Sequence, residues 1–301
     1  MLLSGITRGY VNYRQRAQKS IREDVKFDYL IMHGAGNRIL VVDSRERDAE
    51  PPSGDRLRRL ANATEGPGFD QLMWVTSARG SNLDAAYRIF NADGSEVEQC
   101  GNGVRCVAWM LARESGEDGG TLRLESPAGV VEARIDANGC ITVSMGAPEF
   151  EPSRIPFIAD GKADRYLLSV DGADYDVSVL SMGNPHCVMQ VADTRSAQVE
   201  RLGPLVERHE RFPERANVGF MAIRGRKAID LRVYERGVGE TLACGTGACA
   251  AVVAGQRLGQ LDDPVTVSLP GGQLMVSWRG AAEPVWLTGN AELISEGTID
   301  L

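Results

Sequence analysis

Two cysteines stand at the same place in two similar glycine-rich segments of this chain. Cys100 lies in residues 99–103 (QCGNG), and Cys244 lies in residues 243–247 (ACGTG). Each segment runs into an apolar, helix-like stretch, so each thiol is expected near the positive end of a helix, where thiolates and carboxylates are stabilised. Two such thiols on opposite sides of one carbon would remove a proton from one face and return a proton to the other. This is the chemistry of a racemase or epimerase that needs no cofactor.

The similarity continues upstream of both cysteines. Amide and acidic residues recur at similar distances before each cysteine: Asn37, Gln71 and Asn91 before Cys100, and Asn184, Asn217 and Glu235 before Cys244. Self-similarity on this scale predicts two related halves, because the repeated unit is half of the chain. The cleft between the halves is the expected binding site.

The composition is that of an ordinary globular enzyme. The chain has 301 residues, of which 43% are hydrophobic and 25% are charged, and its formal net charge is −8. An acidic chain argues against a nucleic-acid partner, which requires a basic face. No apolar run approaches the 18 or more residues of a membrane span, so we expect a cytoplasmic protein without a membrane partner.

The six cysteines do not form a disulfide or metal-binding pattern. No secretory signal is evident, so free thiols in a reducing compartment are expected. No CxxC pair is present, and the spacing predicts no metal site. Cys106, Cys140, Cys187 and Cys249 lie in helix-like or strand-like runs and are expected to be buried, inert thiols.

Hydrophobic periodicity predicts a protein dominated by strands. Helices are predicted at 103–114, 196–209 and 246–258, with a weaker candidate at 54–63. Strands are predicted at 38–43, 72–76, 86–91, 121–126, 129–135, 140–145, 174–181, 186–191, 218–223, 228–235, 264–269, 273–278 and 284–288. The helices at 103–114 and 246–258 are apolar on nearly every side and should be buried on every side.

We therefore predict an α+β fold of two pseudo-symmetric halves. Each half is a strongly curved, mostly antiparallel, barrel-like β-sheet wrapped around a central helix, and the active site lies in the cleft between the halves. The predicted domains are residues 26–144, joined by the C-terminal segment 290–301, and residues 145–289. Residues 1–25, which carry five basic side chains and a single acid before Asp24, are predicted to be a flexible N-terminal extension.

From Met32 to its C-terminus the chain resembles the diaminopimelate epimerase family. The resemblance rests on residues 32–37 (MHGAGN), 68–72 (GFDQL), 90–106, 182–188 (MGNPHCV), 217–220 (NVGF) and 235–247. The two cysteine segments are its most specific motifs. Arg38-Ile39 and Ser295 depart from the pattern common in the family, but neither departure touches a thiol.

The resemblance implies interconversion of LL-diaminopimelate and meso-diaminopimelate, a step in the biosynthesis of lysine and of peptidoglycan precursors, without pyridoxal phosphate or metal. It implies that Cys100 and Cys244 are the two acid/base thiols and that His186 and Glu235 tune them. It implies a substrate site lined by Asn37, Gln71, Asn91, Gly101, Asn102, Asn184, Asn217, Glu235, Arg236, Gly245 and Thr246. A homodimer is a possible assembly. A cysteine at a helix start is expected to be partly ionised near neutral pH, which would let it act as the base.

Several alternatives stay open at this point. A proline or hydroxyproline racemase-like enzyme shares the two-thiol chemistry, but such enzymes usually carry histidine where this chain has Asn102. Residues 245–250 fit a weak dinucleotide pattern, although they follow a loop where that motif needs a strand. The four lysines lie outside the motifs, which disfavours a pyridoxal enzyme. A non-catalytic amino-acid-binding protein is the alternative from another class, and the presence of both cysteines argues against it.

Overall fold

A computed structural model describes residues 26–47, 49–97, 100–116, 119–280 and 282–301. The predicted N-terminal extension, residues 1–25, lies outside the described residues. The described part of the chain forms eighteen strands, four α-helices and one short 3-10 helix. Within it, no helix is both long enough and apolar enough to cross a membrane.

The elements follow one another in two runs of the same kind. The first run is β1 (Lys26–Gly34), β2 (Asn37–Asp43), α1 (Gly54–Ala61), β3 (Gln71–Thr76), β4 (Ala85–Asn91), β5 (Glu96–Val97), α2 (Gly101–Ser115), β6 (Gly120–Ser126), β7 (Gly129–Ile135) and β8 (Ile141–Ser144). A connecting segment contains the 3-10 helix Pro152–Arg154 and β9 (Tyr166–Val170). The second run is β10 (Ala173–Ser181), β11 (Pro185–Gln190), α3 (Val199–Glu207), β12 (Asn217–Gly225), β13 (Ala228–Glu235), β14 (Gly239–Thr241), α4 (Gly245–Arg257), β15 (Val265–Leu269), β16 (Gly272–Ser277) and β17 (Trp286–Gly289), and β18 (Glu292–Asp300) ends the chain.

The strand pairing repeats between the two runs. In the first run β2 pairs in parallel with β3, and β4 pairs antiparallel with β3 and β5 but in parallel with β6. In the second run β11, β12, β13, β14 and β15 pair in the same order and with the same directions. The remaining pairs are antiparallel, and β18 lies beside β1 as β9 lies beside β10. The predicted α+β fold of two pseudo-symmetric, curved halves is confirmed.

The two halves are joined edge to edge. Strand β8 pairs antiparallel with β17, so the strands form one continuous, unclosed sheet that ends at β18 and β9. The sequence predicted one sheet for each half, and this junction merges them. The domain boundary at residues 144 and 145 stays a prediction.

Burial of α2 and α4 explains why each sheet curves. The first eleven residues of α4 are all buried, and α2 is buried from Gly101 to Ala108. Helix α2 contacts β1, β2, β3, β7 and β8, while α4 contacts β10, β11, β12, β13, β16 and β17. A helix that is apolar all round is stable only where protein surrounds it, so each sheet wraps its helix. On the outer faces, α1 and α3 bury Leu57 and Leu202 in two smaller clusters.

Candidate active site

Each of the two cysteines begins a central helix. Cys100 caps α2 and Cys244 caps α4, and both have extended backbone conformations. The Cys100 sulfur accepts a hydrogen bond from the Gly103 N–H at 3.2 Å, and the Cys244 sulfur accepts one from the Gly247 N–H at 3.4 Å. Each thiol therefore occupies the N-cap position, where a negative charge is stabilised by free amide donors and by the helix dipole.

The two helix starts lie directly against each other. A Cβ atom added to Gly245 would lie 4.0 Å from the Gly101 Cα and 3.9 Å from the Asn102 Oδ1. A Cβ on Gly101 or on Gly245 would also lie 3.0 Å from the Leu287 Cδ2, which is tighter than ordinary contact. Glycine at both positions permits this approach. The first turns of both helices therefore lie at one shared space.

That space is a cavity of about 890 Å³ lined by residues of both halves. Its lining includes thirteen of the fourteen residues predicted for the site: Cys100, Cys244, Asn37, Gln71, Asn91, Gly101, Asn102, Asn184, Asn217, Glu235, Arg236, Gly245 and Thr246. His186 is the one that does not line it. The structure thus brings the predicted residues together, while their individual roles stay predictions.

Around Cys100 a chain of side-chain hydrogen bonds runs along the ends of β3 and β4. The Cys100 thiol donates to the Gln71 Oε1 at 2.7 Å, and the Gln71 Nε2 donates to the Asn91 Oδ1 at 3.0 Å. The Asn91 Nδ2 in turn donates to the Ser95 Oγ at 3.2 Å. Gln71 lies opposite Asn91 in the sheet register, so backbone pairing places both amides beside the thiol.

Around Cys244 the polar groups are an acid and two hydroxyls. The Cys244 sulfur lies 3.5 Å from the Thr246 Oγ1. The Thr241 hydroxyl donates to the Glu235 Oε1 at 2.5 Å. Glu235 interacts electrostatically with both thiols and raises both their pKa values. The acid that occupies the place of Asn91 in the second half therefore makes the two thiol environments different.

Burial governs the ionisation of these groups. It raises the pKa of the Cys100 thiol to about 11, while the Gly103 N–H and the Arg105 guanidinium act in the opposite direction. Burial and the Glu235 carboxylate hold the pKa of Cys244 well above its usual range. Burial also raises the pKa of Glu235. The expectation that a helix start alone leaves the thiols partly ionised near neutral pH was wrong here, because loss of solvation outweighs the helix terminus.

His186 does not line the cavity but contacts a residue that does. Its side chain is buried, and its Nε2 lies 3.0 Å from the Asn184 Oδ1. Burial, with a smaller effect of the nearby Arg236 charge, lowers the pKa of His186 to about 3, so the ring is neutral at pH 7. Through this hydrogen bond His186 positions the side chain of Asn184, which lines the cavity.

The second half positions Arg236 through two backbone contacts. The Arg236 N–H donates to the Asn217 Oδ1 at 2.9 Å, and the Arg236 Nη1 donates to the Glu214 carbonyl at 3.0 Å. The Asn217 Nδ2 donates to the Pro185 carbonyl at 3.3 Å. Asn217 therefore holds the loop that carries Arg236.

Three residues near the site were missed by reasoning from the sequence. Glu207 is buried at the end of α3 and accepts a hydrogen bond from the Gly237 N–H at 2.8 Å. Arg105 is buried behind the start of α2, and Arg154 lines the cavity from the connecting segment. Only Arg105 carried a signal, since a lone charge within an apolar helix is unusual.

The described residues offer no evident metal site. No group of three or more His, Cys, Asp or Glu side chains among them is placed to hold a metal ion. The polar groups that line the cavity include the two thiols, several amides and hydroxyls, acids such as Glu235, and the arginines Arg154 and Arg236. Together these groups suit a small zwitterion that carries carboxylates and an ammonium group.

Comparison with known proteins agrees with this arrangement. A sequence model of the diaminopimelate epimerase family matches residues 29–151 and 178–294. The chain is 47% identical over 277 residues to the diaminopimelate epimerase of Nitrosospira multiformis, covering 92% of this chain and 99% of that protein. It is 48% identical over 279 residues to the diaminopimelate epimerase of Alkalilimnicola ehrlichii, and the match covers 92% of this chain and 100% of that protein.

A solved structure shares the fold at much lower sequence identity. The crystal structure of a hydroxyproline epimerase from Agrobacterium vitis, with bound trans-4-hydroxy-L-proline, superposes with a TM-score of 0.68 at 17% identity. The match covers 92% of this chain and 93% of that one. At this identity the likeness extends to the fold alone, whereas the sequence matches cover both cysteine segments. The chain belongs to the diaminopimelate epimerase family.

Proposed function

We propose that this protein interconverts LL-diaminopimelate and meso-diaminopimelate by inverting one α-carbon with two thiols. The observation that carries the proposal is the pair of cysteine-capped helices whose first turns meet at one cavity. The cavity volume of about 890 Å³ lies within the usual range of small-molecule sites. The product would feed the biosynthesis of lysine and of peptidoglycan precursors.

In the proposed reaction one cysteine acts as base and the other as acid. A thiolate removes the α-proton from one face of the substrate carbon, and the S–H of the opposite cysteine protonates the other face. The pair ends with its protonation states exchanged. The reverse reaction uses the same two groups in opposite roles, so the site needs no other proton carrier during inversion.

The two helix starts supply the stabilisation that such a weak carbon acid requires. As the α-proton leaves, negative charge develops on the carbon and spreads into the adjacent carboxylate. Gly101, Asn102, Gly245 and Thr246 line the cavity, and their N–H groups would donate to that carboxylate. By analogy with oxyanion holes, each oriented donor contributes about 2.7–4 kcal/mol in a site that excludes water.

The amides and Arg236 would bind the distal half of the substrate. Asn37, Asn91 and Asn184 can donate to a carboxylate or accept from an ammonium group. The Arg236 guanidinium uses one N–H on the Glu214 carbonyl, and its remaining donors can hold the distal carboxylate. This second set of contacts separates diaminopimelate from proline-like substrates, which have no distal carboxylate.

Alanine variants of each cysteine test the proposal. Cys100→Ala and Cys244→Ala should each lower kcat for diaminopimelate by at least the 10²–10⁴-fold that one acid–base group contributes. Cys140→Ala is the matched control, because that partly exposed thiol contacts Asn290 and lies outside the cavity. Full activity in either cysteine variant would contradict the two-thiol mechanism, and faster turnover of proline or hydroxyproline would favour the racemase alternative.

The cytoplasmic location and the homodimer belong to this proposal as predictions from the sequence. Light scattering of the purified full chain would test the homodimer directly. A mass of about 65 kDa is expected, and a mass of about 33 kDa would contradict it.

A further inference from the structure

Arg105 is a buried cation that the two-thiol reaction does not use directly. It lies in the second turn of α2 and is 0% exposed. Its Nη2 donates to the Asn102 Oδ1 at 2.8 Å, its Nη1 to the Gly101 carbonyl at 3.4 Å and its Nε to the Asn290 carbonyl at 3.5 Å. These contacts place the guanidinium directly behind the helix start that faces the cavity.

No carboxylate neutralises this guanidinium. Among the described residues none forms an ion pair with Arg105, and the titratable groups that face it are the thiols of Cys106, Cys100 and Cys249. A buried charge without a counter-ion is destabilising, and burial accordingly lowers the pKa of Arg105. Stability alone does not explain an arginine here, because an apolar side chain of similar length would avoid that penalty.

The hydrogen bond to Asn102 fixes the direction of the Asn102 amide. Because its Oδ1 accepts from Arg105, the Nδ2 group is the part of the amide left to donate. Asn102 lines the cavity at the start of α2. A carboxylate bound there can accept from the Nδ2 group, while the Oδ1 is already engaged by Arg105.

The arginine also makes the two halves of the site unequal. Counting from the two cysteines, the position of Arg105 in α2 is occupied by Cys249 in α4. Cys100 thus has a buried positive charge nearby, whereas Cys244 lies against the acid Glu235. The charged or titratable groups that face Cys100 are Arg105, Glu235, Tyr87 and Cys106.

We propose that Arg105 is a positioning residue that makes Cys100 the more readily ionised of the two thiols and orients the Asn102 amide toward the substrate carboxylate. This inference rests on the proposed function for its place in the reaction. In the direction in which Cys100 is the base, its S–H bond first breaks and the proton passes to solvent, while Cys244 keeps its proton. During inversion the substrate α-proton moves to the Cys100 sulfur and the Cys244 proton moves to carbon. Proton exchange with solvent then returns both cysteines to their starting protonation states.

The test is the pH dependence of thiol alkylation by iodoacetamide, read separately for each cysteine by peptide mass spectrometry. In the wild-type protein the pH at which alkylation is half-maximal, the midpoint, should be lower for Cys100 than for Cys244. Equal or reversed midpoints would overturn the proposed order of ionisation. This measurement needs no variant and does not depend on turnover.

Three substitutions separate the charge of Arg105 from its hydrogen bond. Arg105→Met and Arg105→Gln remove the charge and should raise the Cys100 midpoint by about one pH unit or more, the lower end of the effect of a nearby opposite charge. Arg105→Lys places an ammonium group at the same buried position and should hold the midpoint near the wild-type value. Arg113→Met is the matched control, because Arg113 lies on the exposed side of α2 and pairs with Glu296.

Activity provides the second reading. Arg105→Gln retains a donor for the Asn102 Oδ1, so its KM for diaminopimelate should rise less than the KM of Arg105→Met. An unchanged Cys100 midpoint in both neutral variants would overturn the proposal, as would an equal shift at Cys244. If the two cysteines of the wild-type protein are alkylated in the expected order but the protein does not epimerise diaminopimelate, the proposed function fails and the role of Arg105 in thiol ionisation stands.

Discussion

Glu207 provides a sharp test of how the protein positions its distal substrate contacts. Its buried carboxylate accepts from the Gly237 N–H at 2.8 Å, and its two oxygens lie 3.4 Å from the Arg208 Nε and 3.7 Å from the Arg215 Nη1. Gly237 directly follows Glu235 and Arg236. The carboxylate therefore holds the turn that carries the acid beside Cys244 and the arginine proposed for the distal carboxylate.

The expected effect follows from the loss of that hydrogen bond. A hydrogen bond to a charged group contributes about 1.5–3 kcal/mol, and both arginines are largely exposed, so their ion pairs add little. If Glu207→Ala releases the turn, kcat/KM for diaminopimelate should fall by about 10- to 150-fold, since each 1.36 kcal/mol is tenfold. Glu207→Gln keeps a neutral acceptor of the same shape and should lose less than tenfold.

The assay is steady-state kinetics of LL-diaminopimelate epimerisation beside urea unfolding of the same proteins. Glu210→Ala is the control, because Glu210 is an exposed acid on the turn after α3, where a substitution should change stability by no more than about 0.5 kcal/mol. A folded Glu207→Ala protein with wild-type kcat/KM would refute the idea that this carboxylate positions the turn. A loss in Glu207→Gln as large as in Glu207→Ala would show that the charge matters and not the acceptor.

Two further predictions concern pH. The pKa values of Cys100 and Cys244 are both raised, so the thiolate is scarce at neutral pH. We therefore expect kcat/KM to rise by nearly tenfold per pH unit between pH 6 and 8. A flat or falling profile in a polarimetric assay would contradict this. Folding lowers the pKa of His186 from 6.5 to about 3. Between these two pH values the unfolded chain binds more protons than the folded protein, so the free energy of unfolding falls as the pH is lowered from 6.5 toward 3. The free energy of unfolding should lose about 1.4 kcal/mol per pH unit below 6.5 through this residue. His186→Gln should remove that part of the slope in denaturant titrations between pH 4 and 6.5, and an unchanged slope would show that the buried ring is not the cause.

The repeat explains why so much of the site was predictable. Matching positions before the two cysteines become matching positions in the two sheets, because β3 and β4 pair as β12 and β13 do. Gln71 lies opposite Asn91, and Val218, next to Asn217, lies opposite Tyr234, next to Glu235. Spacing along the chain thus became proximity in space through strand register.

The errors fall where structure depends on contacts across the fold. Strands β1, β5, β9, β14 and β18 escaped prediction. Strands β5 and β14 have only two and three residues, and β9 and β18 are the two ends of the sheet, where the alternation of apolar and polar residues is weak. Helices α2 and α4 begin at Gly101 and Gly245, slightly earlier than predicted, because the cysteine side chains cap them. Element ends depend on such caps more than on periodicity.

Ionisation could not be predicted from local sequence. A glycine turn at a helix start indicates a favourable place for a thiolate, but the pKa depends on how far the opposite half excludes water. The burial of Glu207 has the same origin: Arg208 and Glu210 after it are charged, and its partner Gly237 lies in the turn after β13. Both are properties of the assembled halves.

Deuterium incorporation during turnover tests the two-thiol account most directly. Wild-type protein is incubated with LL-diaminopimelate in deuterated water, and the stereoisomers are separated and analysed by mass spectrometry at early times. We predict that each meso molecule gains one deuterium at the inverted carbon while the remaining LL substrate stays protonated, because the group that protonates is not the group that deprotonates. Meso product that retains the original proton would contradict a mechanism with two separate bases. A lack of both inversion and exchange would indicate a protein that binds amino acids without converting them.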